Sequence, residues 1–122
     1  MQDCNVSMLW TADGVIVVEA SGEIDIRTSL AFKERLFALL DEEAAPVIVD
    51  LRSAAHVDTT GLSVLWESAK RCGLEERKFS VICAGGRVRH ALATSGLDQF
   101  VATHATLDEA LGHGGPGGSS TQ

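Results

Sequence analysis

Apolar residues recur along this chain with two periods, and the switches between them mark out its elements. Residues 6–11 and 15–20 (VIVVEA) are short, β-branched or apolar runs that predict two strands, and Asp13-Gly14 between them predicts a hairpin turn. The segment Ser21-Gly22-Glu23-Ile24-Asp25 is read as the break that ends the second strand. Spacings of three and four then place Leu30, Lys33, Leu36, Phe37 and Leu40 on one stripe of a helix. Thr28 or Ser29 would cap it and it would run to about Asp41. Residues 44–46 predict a loop. Residues 47–51 (VIVDL) are too brief and too β-branched for a helix and predict a central strand. A polar connection follows, then a helix over residues 61–72 with Leu62, Leu65, Trp66 and Ala69 on one side and Gly73 as its stop. Residues 79–83 predict a strand, 88–94 a helix ending near Ser95-Gly96, and 100–103 a short last strand. Thr106-Leu107-Asp108-Glu109 has capping-box spacing and opens a final short helix that Gly112 ends. After the hairpin, strands and helices alternate, which predicts an α/β domain with parallel strands joined by helical crossovers.

A chain of 122 residues, 45% hydrophobic and 22% charged, is sized for one soluble globular domain. Its net charge of -7 disfavours direct binding to nucleic acid or to an anionic membrane surface. Cys4, Cys72 and Cys83 form no CxxC pair and predict reduced thiols rather than a disulfide framework. The first residues lack a basic start and a long apolar run, and no stretch approaches the roughly 18 apolar residues of a membrane span. The expected location is the cytoplasm, without membrane insertion. The domain is expected to occupy residues 1–111, and residues 112–122 to be a disordered Gly/Ser-rich tail.

No phosphate-binding P-loop, dinucleotide fingerprint, HExxH or nucleophile-elbow motif occurs, so no enzymatic activity is expected. His56, His90, His104 and His113 have no metal-ligand spacing, and neither metal nor cofactor is expected. Ala84-Gly85-Gly86-Arg87 sits between a strand and a helix. It reads first as a turn needing backbone freedom, and second as an anion cradle. Trp10 and Trp66 fall on apolar stretches and read as core or half-buried packing rather than as partner anchors. Two clusters carry more. Asp58, Thr59, Thr60 and Gly61 stand at the mouth of the second helix. Either hydroxyl can serve as its N-cap, with Asp58 favouring the positive end of the dipole. Two hydroxyls exceed what one cap needs, which leaves one for solvent. A phosphate on it would add about -1.5 to -2 charges beside Asp58 and could block a partner without refolding the domain. Gly22, Glu23, Ile24 and Asp25 read either as a strand-to-helix turn with solvated acids or as an acidic edge for a basic partner.

Taken together these residues resemble the STAS domain family, and within it the bacterial anti-sigma factor antagonists. The resemblance runs over about residues 5–111. Ser21-Gly22-Glu23-Ile24-Asp25 is similar to the family's G-E-[LI]-D turn, and residues 47–51 to its central strand. Asp58-Thr59-Thr60-Gly61-Leu62 is similar to its D-S-[ST]-G-L phosphorylation motif. Gly96-Leu97, with residues 106–111, is similar to its ending. The resemblance implies a single domain with a mixed sheet of about four to five strands and helices packed chiefly on one face. It implies a partner-switching role. The free antagonist binds an anti-sigma factor, commonly a serine kinase of GHKL-type ATPase fold, and so releases a sigma factor. The kinase, which brings its own ATP, phosphorylates the hydroxyl after the motif Asp, here Thr59 with Thr60 as the alternative, and a phosphatase restores it. Gly22, Glu23, Asp25, Asp58, Thr59, Thr60 and Gly61 would form the partner-facing edge. The chain departs from the pattern in carrying Thr59 where Ser is usual and His56 where an apolar residue is common. Two other roles also occur among such domains. One is an accessory subunit of a lipid-transport or stress-signalling complex. The other is a nucleotide-binding module, which would use Gly85, Gly86 and Arg87.

Overall fold

The β-branched runs build a sheet whose two faces are covered unequally, and that inequality sets where the polar clusters come out. The computed structural model describes residues 4–11 and 13–112. In chain order the elements are β1 Asn5–Trp10, β2 Ile16–Ile24, α1 Ser29–Glu42, β3 Val47–Val57, α2 Thr59–Leu74 and β4 Phe79–Ile82. They continue with α3 Gly86–Thr94, α4 Leu97–Phe100, β5 Ala102–His104 and α5 Leu107–Ala110. The strands lie in the order β1-β2-β3-β4-β5. β1 pairs antiparallel with β2, and every other neighbouring pair is parallel. A sheet whose parallel strands step in one direction, each joined by a crossover of the same hand, receives its crossover helices on one face. Ile16, Val18 and Ala20 of β2, Val47, Val49 and Leu51 of β3 and Val81 of β4 point to that face. There they meet Phe32, Leu36 and Leu40 of α1, Leu62 and Leu65 of α2, Leu92 of α3 and Leu97 of α4. The alternate residues Val17, Ile48 and Ile82 point the other way, where, among the described residues, Val15 and the C-terminal Leu107, Ala110 and Leu111 pack against them. The fold is thus the α/β domain that the sequence pattern predicts, with the five-stranded mixed sheet and helices chiefly on one face that the family resemblance implies.

Several local expectations are corrected. Residues 21–24 do not end β2; they continue it against residues 53–57 of β3, which lengthens both strands beyond prediction. Two register shifts in that pairing, after Glu19 and after Gly22, absorb an extra β3 residue each. The buried stripe of α1 is Phe32, Leu36 and Leu40, while Leu30 is 65% exposed. Lys33 and Phe37 lie toward α2 instead, with Lys33 paired to Glu67 at 3.1 Å and held 5.4 Å over the Phe37 ring. α2 passes through Gly73 to Leu74 and turns at Glu76, whose φ is 58°. The Arg77 N–H donates to Cys72 O at 2.8 Å across that turn, and its guanidinium donates to the carbonyls of Leu40 and Ala45. Phe100 belongs to α4, which starts after Gly96 at φ 83°, so the last strand begins two residues later than expected. Trp66 is half-buried as expected, but Trp10 on the edge strand is exposed. Thr106 caps α5 by accepting from the Glu109 N–H, and Glu109 accepts in return from the Ala105 N–H. Of the tail expected over residues 112–122, all but Gly112 lies outside the described residues.

Candidate functional site

The C-terminal ends of β2 and β3 lie side by side, and each carries one of the two polar clusters. In open α/β sheets this end of the strands is where loops gather and ligands bind. At the β2 end, Gly22 adopts φ 88°, a conformation open to glycine at little cost. The chain then turns through residues 25–28 into α1. The Thr28 hydroxyl braces the turn, donating to Glu23 O at 2.7 Å and accepting from the Asp25 N–H at 3.0 Å. It therefore does not cap α1 by side-chain bonding, as its position had suggested. Arg27 closes over the acids. Its backbone N–H reaches Asp25 Oδ1 at 2.9 Å, and Nη2 reaches Asp25 Oδ2 at 2.9 Å and Glu23 Oε1 at 3.4 Å. The guanidinium bond holds the Asp25 carboxyl below its usual range, against a smaller opposing effect of burial. The acidic edge expected from composition is therefore already partly neutralised by its own chain.

At the β3 end, the Asp58 N–H donates to Ile24 O at 3.0 Å and so ties the two clusters together. Asp58 itself is the N-cap of α2, where a hydroxyl had been expected. Its Oδ1 accepts from the Thr60 N–H at 2.9 Å and from the Gly61 N–H at 3.2 Å. A carboxylate does this more strongly than a hydroxyl because the acceptor is charged and faces the positive helix end. Burial pushes the Asp58 carboxyl upward, but the Thr60 hydroxyl and the two N–H donors outweigh it and hold the group below its usual range. The nearby Asp25 charge works in the upward direction too.

The two threonines are thereby distinguished. Thr60 Oγ1 donates to Asp58 Oδ1 at 2.5 Å and is half-buried. Thr59 is exposed, and its hydroxyl makes no hydrogen bond among the described residues; only its carbonyl is used, accepting from Ser63 Oγ at 2.9 Å. Gly61 lies inside. A Cβ there would come within 2.6 Å of Ile24 Cγ2, 2.9 Å of Val57 Cγ1 and 3.1 Å of Ile24 O. The missing side chain lets the start of α2 press against the end of β2.

Arg87 and His56 form a third feature nearby, with Arg87 Nη2 3.4 Å from His56 Nδ1. With Gly86, His90, Ala91 and Thr94 they line a shallow cleft of about 470 Å³. Gly85 and Gly86 both have positive φ, at 126° and 71°, so the backbone-freedom reading of that turn holds. Among the described residues no three His, Cys, Asp or Glu side chains come together as metal ligands would, and no helix is long and apolar enough to cross a membrane. Sequence reasoning missed the roles of Arg27 and Thr28. Their signals were present, in a base two residues after an acid and in a hydroxyl three residues after it.

This domain, with its helices chiefly on one face and two threonines at the C-terminal rim of its sheet, has clear relatives. The STAS domain family model matches residues 8–110, and the chain belongs to that family. It is 28% identical over 99 residues to the anti-sigma-F factor antagonist RsfB of Mycobacterium tuberculosis, spanning 81% of this chain and 80% of that protein. Among solved structures it is similar to an anti-sigma factor antagonist from Mycobacterium paratuberculosis. The TM-score is 0.76 and the identity 32%, over 88% of this chain and 92% of that one. Unphosphorylated SpoIIAA, a Bacillus cell fate determinant, shares the fold with a TM-score of 0.72 at 16% identity, over 88% of this chain and 93% of that one.

Proposed function

We propose that this protein is an anti-sigma factor antagonist. Its rim of Gly22, Glu23, Asp25, Asp58, Thr59 and Thr60, held in place by Gly61, binds an anti-sigma factor of GHKL-type kinase fold and so frees a sigma factor. Phosphorylation of Thr59 by that partner ends the binding, and a phosphatase restores it. The names of the relatives support the general role. The observation that carries the switch is the unequal use of the two hydroxyls: Thr60 is spent on the Asp58 carboxylate while Thr59 stands free in solvent. The γ-phosphoryl of kinase-bound ATP would pass to Thr59 Oγ1, with ADP leaving and the hydroxyl proton taken up by the kinase. The product would gather about two further negative charges beside Asp58 and Asp25, where a docked partner surface would have to accommodate them. The helix N-terminus tolerates that charge, so the domain stays folded while the surface gains negative charge and bulk. The methyl group and stiffer χ1 of Thr59 would slow a kinase adapted to serine.

The test uses wild type, Thr59→Ala and Thr59→Glu as baits in lysate of the source organism, with bound proteins identified by mass spectrometry. An ATPase-fold anti-sigma factor held by the first two and lost from the third is the expected result. Equal retention by all three baits, or capture of transporter subunits instead, would reduce Thr59 to a first-turn residue and favour an accessory-subunit role. With the recovered kinase and labelled ATP, Thr59→Ala should abolish incorporation and Thr60→Ala should keep it. The reverse pattern moves the modified position to Thr60.

A further inference from the structure

We infer that Trp66 and Phe100 form the apolar anchor of the surface that receives the anti-sigma factor. The inference rests on the function proposed above and extends its footprint from the rim down the outer side of α2. At about 100° per residue, Thr59, Ser63, Trp66, Lys70 and Leu74 fall within roughly an 80° arc of the helix. Thr59, Ser63, Lys70 and Leu74 are all exposed, Leu74 at 88%. This stripe has a border on each side. Toward α1 lies the Lys33–Glu67 ion pair. Toward α4, the Trp66 ring stacks on Phe100 with centroids 4.7 Å apart and planes at 27°. Phe100 is 52% exposed, and Trp66 is half-buried against the core.

Two physical points make this pair the anchor. A specific protein interface covers about 800 Å² on each partner, more than one polar turn supplies, so a partner that reads Thr59 must also touch its surroundings. The energy of such interfaces concentrates in a few aromatic or Arg side chains ringed by polar ones. Trp66 sits two helical turns, about 10 Å along the axis, from Thr59. It is already held by Phe100, so little side-chain freedom remains to be lost on binding. Ile26 and Leu30 are also exposed near the rim, but they are aliphatic and no ring contact orders them. Met8, Leu9 and Trp10 lie on β1, two strands away from β3. Lys70 makes no ion pair among the described residues. The occupant this surface fits is therefore an aliphatic or aromatic side chain of the anti-sigma factor, flanked by a carboxylate that reaches Lys70.

The experiment titrates each purified ATPase-fold anti-sigma factor of the source organism into the full chain by calorimetry. Trp66→Ala and Phe100→Ala should each weaken binding about tenfold or more. Ile26→Ser and Leu30→Ser should stay within about threefold of wild type. Since Trp66→Ala also removes core packing, melting curves accompany each variant. An independent readout needs no loss of packing. In a Trp10→Phe background, acrylamide quenching of Trp66 fluorescence should fall when the complex forms. Binding that is abolished by Thr59→Glu yet unchanged by Trp66→Ala and Phe100→Ala overturns the anchor and leaves the proposed function standing. So does unchanged quenching in the complex. A self-association of the free chain that Phe100→Ala abolishes assigns the pair to a second copy and also overturns it. Failure of wild type to bind any anti-sigma factor overturns the function and the anchor together.

Discussion

The two clusters of the rim share one backbone tie and differ in what they leave free. Around residues 22–25 nearly every polar group is consumed locally, with Thr28 bracing the turn and Arg27 covering Asp25 and Glu23. Around residues 58–61 a single carboxylate satisfies two backbone donors and one hydroxyl, and Thr59 is left open. The acidic turn is thus a finished piece of structure, whereas the helix mouth is finished except at one atom. A charged sequence motif can be either, and its hydrogen-bond partners decide which.

Substitutions can break this contrast, and the largest expected effect is at the buried join. Gly61→Ala drives a methyl group into Ile24 and Val57, both in the core. Overpacking of this kind costs about 1–3 kcal/mol, to be read as a lower midpoint in urea unfolding with unchanged slope. A midpoint equal to wild type would mean that α2 can back away from β2 and that the join is not tight.

Asp58→Ala should come next, at about 1 kcal/mol for a lost N-cap, with the Thr60 hydroxyl released as well. Its dependence on pH is a sharper check. The folded-state carboxyl is held below its value in the unfolded chain, so its contribution is complete above about pH 4 and disappears as the pH falls through the lower, folded value. The stability gap between wild type and Asp58→Ala should therefore narrow in acid. A gap constant from pH 7 down to pH 2 would show that the charged form of Asp58 is not what caps the helix.

Arg27→Ala should have the smallest effect on stability. The Arg27 guanidinium is 55% exposed, and an ion pair with one partner so open to water is screened and contributes little. What it should change is the neighbouring acid: Asp25 should titrate at a higher pH by NMR once the guanidinium is gone. If Asp25 titrates as in wild type, the backbone donors alone hold it down.

Much of this architecture was legible in the sequence because period and β-branching report burial directly. The runs 15–20, 47–51 and 79–83 became the central strands, and Leu62, Leu65 and Ala69 became the inner face of α2. What escaped was held by partners distant in the chain. Residues 52–57 read as a polar connection, yet they form strand because residues 21–24 pair with them across two register shifts. No local propensity contains that pairing. Leu30 looked like core, but it stands 65% exposed to solvent, and Phe32 took the inner position. At the candidate site, the composition of the helix mouth was readable and its division of labour was not. Three acceptors compete for the first-turn N–H groups, and the charged one takes them, a result that depends on the Asp58 backbone being fixed by Ile24. Arg27 was readable as a charge but not as a lid over Asp25, because its direction comes from the turn.

The join at Gly61 also bears on how the molecule behaves over time. A rim fastened to the core by a backbone hydrogen bond and a close steric fit has little room for a second shape. Such a surface carries no memory. If Thr59 carries a phosphate as proposed, its removal returns the rim to the geometry described, and nothing in the fold records that it was ever there. On that proposal, a population of these domains would report only the present balance of phosphate addition and removal, without lag or hysteresis of its own.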